Sequence, residues 1–537
     1  VRVIAAYMGG GFGGKEDMTV EPYLALLVWH TRRPVRMIWD RQESLSASTK
    51  RHPFIMQYRT GARADGTITG QQIEILGDAG AYPYLSPRVL FAGAALACGP
   101  YRVPHASIVA RAVFTNNVPA SAFRGFGAMQ VVFGYEAQLD LLARRLGLPR
   151  TLVRERNFLA KGDEIPTGER LSTVVEVGQT MHRALALLGE PAHPSGPGKL
   201  TGRGLACNRH PYGRTIWFRD RASAWLSLQA DGTLLIRSGI TDLGAGQAAS
   251  LCQIAAEVLG VPLDDISIYI GDSALNPPAG GTFATRQLYM SGNAVLAAAA
   301  ELRDRIAPVA AELLGVEAGA LEFAGGFVFS GGGPAPPEGA AATARLTLAE
   351  LAVACERRAV STSHLSVWRA ESGAFDPRTG QGDSFPDYTY GTHAAEVEVD
   401  TQTGEVAVLR YAACHDVGRA INPMRVEGQI QGAAMQGLGY ALTEDVAIEE
   451  GYPQAALFAS YLIPNSYDFP DVRVAIVESG EGKGPLGARG IGEPPIGNVA
   501  AAIASAIEDA TGVRPAQLPM TPERVLGLLD GDRAVPS

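Results

Sequence analysis

Apolar and polar residues alternate on both sides of Asp65-Gly66 in HPFIMQYRTGARADGTITGQQIEILGDAGAY (52–82), a pattern that predicts a β-hairpin. The same arrangement recurs in AWLSLQADGTLLIRSG around Asp231-Gly232, and AAEVEVDTQTGEVAVLRY gives a third strand pair across a short loop. Apolar residues three and four apart predict helices over Phe133 to Leu146, Gln247 to Leu259, Val295 to Leu314 and Val499 to Ala510. Strands and helices mix without a regular βαβ repeat, so the expected fold class is α+β. No solenoid period is present. The opening VRVIAAYM reads as a buried strand. The Pro- and Gly-rich EPAHPSGPGKLTGRG (190–204) reads as a linker between a first domain, 1–189, and a second, 205–537. Within the second, EFAGGFVFSGGGPAPPEGAAATA (322–344) reads as a loose surface excursion.

Composition narrows the class. Of 537 residues, 46% are hydrophobic and 19% charged, an ordinary globular balance. No apolar run reaches the ~20 residues of a membrane helix. A formal charge of −9, without a basic block, argues against nucleic acid as partner. The five cysteines (98, 207, 252, 355, 414) form no CxxC pair, so they read as reduced thiols of a cytoplasmic-type compartment. They supply no iron–sulfur or zinc ligand set, and the histidines no HExxH spacing. The chain has no initiator Met and no signal-peptide layout, and it reads as a piece of something longer or as a mature subunit.

Glycine carries the chemistry. MGGGFGGKED (8–17) looks like a phosphate cradle, yet Glu16 stands where a P-loop needs Ser or Thr for Mg²⁺. Related turns recur as AFRGFGAMQ (122–130), TDLGAGQAAS (241–250), PAGGTFATRQ (278–287) and GARGIGEPPIG (487–497). Several precede helical patterns, where free backbone N–H groups make an anion site. Five such loops point to one large polar, phosphate-bearing ligand held by backbone from many sides.

In order along the chain, GGGFGGKE, AFRGFG, GGTFATR, DVGRAINP…GQIQGAAMQGLG and GIGEPP resemble the molybdenum hydroxylases of the xanthine dehydrogenase/aldehyde oxidase type. The resemblance covers nearly the whole chain, and roughly two hundred residues that precede the GGGFGG loop in that family are absent. It implies two elongated mixed α/β molybdopterin-binding domains with the cofactor between them. The cofactor would be a molybdenum–pyranopterin, in the cytosine dinucleotide form of bacterial members, with no direct protein ligand to the metal. Electrons would leave through 2Fe-2S and FAD centres on partner subunits, making the assembly a heteromer.

The resemblance also assigns roles. Glu493 becomes the base that withdraws a proton at the metal centre so that oxygen can attack an electron-poor carbon; read from residues alone it is also a favourable acid ahead of a helix. Gly11, Phe12 and Gly13 match backbone beside the metal, and Arg124 a cofactor-side arginine. Glu16 matches a carboxylate facing the substrate ring, Phe126 an aromatic on its flat face, and Arg88 an arginine orienting a purine oxygen. Gly244, Gly246, Thr282, Phe283, Ala284, Thr285, Arg286, Gln429 and Gln436 map to pterin and dinucleotide contacts. Where many relatives have Gly-Gln-Gly, this chain has Gly244-Ala245-Gly246, so one amide is lost and Gln247 lies two positions on. No cysteine stands in the 122–127 loop, which argues against the carbon monoxide dehydrogenase branch.

The expected function is therefore hydroxylation of a small N-heterocycle, purine-like by Glu16 and Phe126. The alternative within the family is an aldehyde oxidoreductase. Outside it stand a P-loop nucleotide binder, opposed by Glu16, and a silent structural protein.

Overall fold

The computed structural model describes residues 1–213, 220–330, 345–370, 373–455, 457–468 and 470–531. The first predicted hairpin forms as expected. Phe54–Ala62 pairs antiparallel with Ile68–Gly80, and Ala106–Phe114 adds in parallel on the far side. The helix Ser86–Leu96 makes the crossover and packs on this sheet. At the hairpin tip Asp65 accepts from Thr67 N at 2.9 Å, while Gly66 takes a φ of 90°.

The second hairpin, Arg221–Leu228 with Leu234–Ser238, sits in a four-stranded sheet between Ser363–Arg369 and Ile266–Tyr269. The third, Asp387–Asp400 with Val406–Asp416, forms the middle of a central sheet flanked by Lys199–Tyr212 and Val472–Val477. Asp387–Asp400 is buried on both faces. Val177–Leu188 covers one side and Val499–Thr511 the other. The predicted helices appear as Ala128–Leu146, Gln247–Leu259, Asn293–Leu314 and Val499–Thr511. Pro423–Leu442 is capped by Asn422, which accepts from Arg425 N at 3.1 Å.

Three local expectations change. Residues 199–204 are not linker but the start of the Lys199–Tyr212 strand. Their glycines serve approach rather than flexibility, since a Cβ at Gly202 or Gly204 would lie 2.2–2.4 Å from backbone of the Val499–Thr511 helix. One apolar core accordingly runs from Ile68 to Val525 across the expected linker, and a second gathers residues between Tyr212 and Cys355. The opening residues are not a buried strand. Val1, Val3, Ile4 and Tyr7 are exposed, and the segment touches the body through an Ile4–Asp272 bridge and Ala5 N to Gly271 O at 2.7 Å. The excursion at 322–344 begins as a hairpin, Leu321–Ala324 with Phe327–Ser330 around Gly325-Gly326, with Val328 fully buried. Residues 331–344 lie outside the described residues.

Candidate active site

The five glycine loops converge on one cavity of about 740 Å³. Its wall includes Gly9 to Gly13, Lys15, Glu16, Arg124, Phe126, Gly244, Ala245, Gln247, Gly281 to Gln287, Gln429 and Gly490 to Glu493. Four non-glycine residues of this wall have left-handed backbone: Phe12 (φ 51°), Phe126 (36°), Ala284 (50°) and Thr285 (50°). Each such residue costs of order 1–3 kcal/mol, so the surrounding fold must impose them. The loops lock directly onto each other. Arg124 N donates to Phe12 O at 2.8 Å, and a Cβ at Gly13 would fall 2.3 Å from Ala122 O.

Glu493 stands at the head of the short 3₁₀ turn Pro494–Asn498, half-buried in the wall. Two donors hold its carboxylate: Gly125 N–H to Oε1 at 3.1 Å and the Thr285 hydroxyl to Oε2 at 2.9 Å. Arg124 fastens two segments around it, the 490–492 loop and the Pro423–Leu442 helix. Its Nε donates to Gly492 O at 2.7 Å, Nη1 to Gln436 Oε1 at 3.3 Å, and Nη2 to Gln429 O and Oε1 at 3.2 and 3.3 Å. Burial lowers the Arg124 guanidinium to about 10 against the opposing pull of Glu493. Arg51, also lowered by burial to about 10, lies against Phe123 and Tyr440 and donates to Arg124 O at 2.9 Å.

The structure brings together Glu493, Glu16, Phe126, Arg88, Gly11, Phe12, Gly13, Arg124, Gly244, Thr282 to Arg286 and Gln429 around this cavity. Several have other work than contacting a ligand. Gln436 sits behind the wall and holds Arg124. The Arg286 guanidinium is taken by Asp220 at 2.6 and 2.7 Å and by the Ala279 and Gly281 carbonyls. It shapes the 279–285 loop. Thr282 donates to Thr241 O at 2.7 Å, and a Cβ at Gly246 would press on Arg425.

The anion site expected ahead of Gln247–Leu259 is filled from within. Asp242 accepts from Gly244 N, Gly246 N and Ala248 N at 2.8, 3.3 and 3.2 Å. Lys15 bonds back to Gly10 O at 2.6 Å, closing its own loop.

Sequence reasoning missed His210, Phe91, Leu96 and Phe385, all in the wall. Leu85, Arg88, Phe91, Ala92 and Leu96 line one stripe in and just before the Ser86–Leu96 helix, at spacings of three and four. That periodicity was the available signal. Phe385, 6.2 Å from Phe91 ring to ring, had none.

The wall suits a large organic ligand that brings its own metal ligands. It is backbone-rich, a Cβ at Gly9 would meet nothing within 4 Å, and the buried Gln247 Oε1 has no partner among the described residues. Among the described residues, no group of three His, Cys, Asp or Glu is arranged to hold a metal ion.

Two family models match, both described as molybdopterin cofactor-binding domains, over residues 1–158 and 186–470. The chain is 31% identical to the xanthine dehydrogenase molybdenum-binding subunit of Escherichia coli O157:H7, covering 98% of this chain and 69% of that protein. It is also 31% identical to the aldehyde oxidoreductase of Megalodesulfovibrio gigas, across 98% of this chain and 54% of that one. The solved quinoline 2-oxidoreductase of Pseudomonas putida 86 superposes with a TM-score of 0.88 at 27% identity, over 98% of this chain and 69% of its own. This chain thus spans between about half and about two-thirds of these relatives. With its glycine loops gathered on one cavity and both domain models matched in order, the chain belongs to the xanthine dehydrogenase and aldehyde oxidoreductase family of molybdenum hydroxylases, as a molybdopterin-binding subunit.

Proposed function

We propose that the cavity holds a molybdenum–pyranopterin in its cytosine dinucleotide form and that Glu493 is the general base of an oxidative hydroxylation of a flat N-heterocycle. The observation that carries this is the Glu493 carboxylate, held by Thr285 and Gly125 in the wall where the five loops meet. The overall change is R–H plus water to R–OH, two protons and two electrons. When bound, the cofactor supplies the oxygen-transfer centre and accepts the electron pair. Residues of this chain do the rest. Backbone of the 9–13, 244–245, 281–285 and 490–492 segments seats the ligand, and Gln247 offers it an amide. Glu493 accepts a proton, and its two donors aim the oxygens.

Phe126, Phe91, Leu96 and Phe385 give the cavity an apolar lining, and Glu16 and Arg88 a polar one. The polar lining supports a purine-like ring. The apolar lining supports the second reading, an aldehyde substrate. Electrons pass to iron–sulfur and FAD partner subunits. The helix Glu21–Thr31 buries none of its residues and exposes Tyr23, Leu26 and Trp29, which supports a heteromeric assembly. All five cysteines are buried free thiols, which fits a cytoplasmic compartment. No helix among the described residues is long and apolar enough to cross a membrane.

The test is anaerobic reduction of the purified, molybdenum-assayed complex by hypoxanthine, xanthine, nicotinate and aldehydes. Molybdenum near one per complex with reduction by a heterocycle is expected; a molybdenum-free complex overturns the reading. Glu16→Val is expected to weaken purine turnover and spare aromatic aldehydes, because a carboxylate bonds ring N–H groups and is costly to bury against an apolar substrate. Equal losses in kcat/KM for both substrate types would assign Glu16 to the loop.

A further inference from the structure

We propose that the short hairpin of Phe375–Asp376 with Gln381–Gly382 sets the size of ring the cavity admits, with Phe375 as the positioning residue that holds Phe91 in the wall. This rests on the reading that a planar substrate lies along the apolar lining. Phe91 and Phe385 belong to that lining, whereas Phe375 stands half-buried behind it. The Phe91 ring meets Phe375 edge-on, with centroids 5.1 Å apart and planes at 79°. It lies 6.2 Å from Phe385 at 35°.

The surroundings of Phe91 do not give way. Phe385 is 8% exposed and is backed by Tyr388, ring to ring at 6.1 Å and 73°. The Tyr388 hydroxyl donates to Glu169 Oε2 at 2.8 Å, and the Ser384 N–H, next to Phe385, donates to the same oxygen at 3.1 Å. The Ser86–Leu96 helix, which carries Phe91, is closed against the 125–127 loop, because a Cβ at Gly127 would fall 2.2 Å from Val89 O. Its start is pinned by the Ser86 hydroxyl, which donates to Ala120 O at 3.2 Å. What can move is the Phe91 side chain. The Phe375 ring, in contact with it and outside the wall, occupies the room it would swing into, and the edge-to-face pair adds attraction beyond burial.

The hairpin is fastened without help from the Phe375 ring. Gly382 N–H donates to Thr167 O at 2.6 Å, Gln381 Nε2 to Pro166 O at 3.1 Å, and Asp383 N–H to Ala374 O at 3.0 Å. Gly382 has a φ of 117°, and a Cβ there would lie 2.1 Å from Ala374 O, so this closure needs glycine. The turn is closed by Gly380 N–H to Asp376 O and Arg378 N–H to Asp376 Oδ1, both at 2.9 Å. Removing the Phe375 ring therefore leaves the hairpin in place and takes away the backing of Phe91. Phe91 then turns outward and the cavity widens at its apolar lining. A small ring loses contact there, and a wider one gains it.

The experiment measures calorimetric binding of pyridine, quinoline and acridine to the assembled complex in a Glu493→Gln background, with and without Phe375→Ala, at matched molybdenum content. This readout needs no turnover. Phe375→Ala should raise the affinity for acridine relative to pyridine by about tenfold, the lower end of what room for one methylene is worth in an apolar pocket. Phe375→Tyr keeps the ring edge and should match the parent, as should Arg378→Ala at the turn. With Glu493 restored, the same preference should appear in KM for quinoline against nicotinate, with kcat little changed. An unaltered ratio in Phe375→Ala overturns the proposal, and so does a loss equal for all three rings. Should Phe375→Ala fail to assemble, Phe375→Leu, apolar but without a ring edge, should give a smaller shift in the same direction, and no shift there overturns the proposal equally. A shifted ratio in a complex that turns over no heterocycle would keep the role of the hairpin and remove the substrate reading instead.

Discussion

Thr285→Val isolates one hydroxyl of the site. The Thr285 hydroxyl donates to Glu493 Oε2 at 2.9 Å from a residue with φ 50°. Valine keeps the β-branch and hence the same backbone strain. It also keeps the methyl beside Gly490, where a Cβ would lie 2.4 Å from Thr285 Cγ2. A hydrogen bond to a charged group contributes about 1.5–3 kcal/mol. Glu493 is half-buried, so solvent replaces part of that bond, and the lower figure corresponds to about a tenfold change in rate. The hydroxyl aims Oε2, so its loss leaves the carboxylate less well oriented toward the cavity. The rate of reduction by substrate should therefore fall by about tenfold. The assay is the anaerobic rate of reduction by substrate, with molybdenum content measured for each preparation. Thr285→Ser keeps the donor and should track wild type. An unchanged rate in the valine variant at full molybdenum content refutes the reasoning, and equal losses in both variants assign the effect to the backbone.

Glu493→Gln keeps the turn and the shape but accepts no proton, so reduction by substrate should fall by ~10²–10⁴-fold with metal and pterin retained; single-turnover reduction within about tenfold of wild type would make Glu493 a turn residue. Arg124→Met leaves the Gly492, Gln429 and Gln436 acceptors unpaired, and should cost about 3 kcal/mol in denaturant unfolding together with cofactor retention. An unchanged midpoint would show that Arg124 serves the ligand alone. Gly204→Ala drives a Cβ to 2.2 Å from Ala502 O and Ala506 N and should cost about 3 kcal/mol or more, whereas Gly196→Ala, with nothing within 4 Å, should be neutral. Equal urea midpoints for the two would mean the helix shifts freely on the sheet.

What the sequence disclosed depended on the range of the interactions concerned. The Gln247–Leu259 helix has the expected bounds because Gly246 and Gly260 adopt left-handed conformations at its two ends, a local signal. The Asp65-Gly66 and Asp231-Gly232 turns were legible for the same reason. The opening VRVIAAYM has strand-like residues, but pairing needs a neighbour, and the one isolated bridge is to Asp272. Gly202 and Gly204 looked like slack because composition does not separate a glycine that frees the chain from one that admits a helix. Arg286 looked like a ligand contact because nothing local reveals Asp220, 66 residues away, already holding its guanidinium.

The site repeats that division. Its glycine loops were readable as segments, since left-handed backbone leaves glycine behind in the sequence. Their recurrence already pointed to one shared ligand, but the contacts that join them were not readable, because pairs such as Gly125 to Glu493 and Arg124 to Gly492 lie 368 residues apart. The histidines were not readable at all. His210, His393 and His415 are single residues in three strands, each bland by itself, and register alone aligns them. A one-residue slip between Asp387–Asp400 and Val406–Asp416 would carry His415 off Gly391 and to the opposite face of the sheet. These rings thus depend on the same strand pairing that builds the central core, and Asn208 ties that pairing to the Glu493 turn by donating to Pro494 O at 2.7 Å.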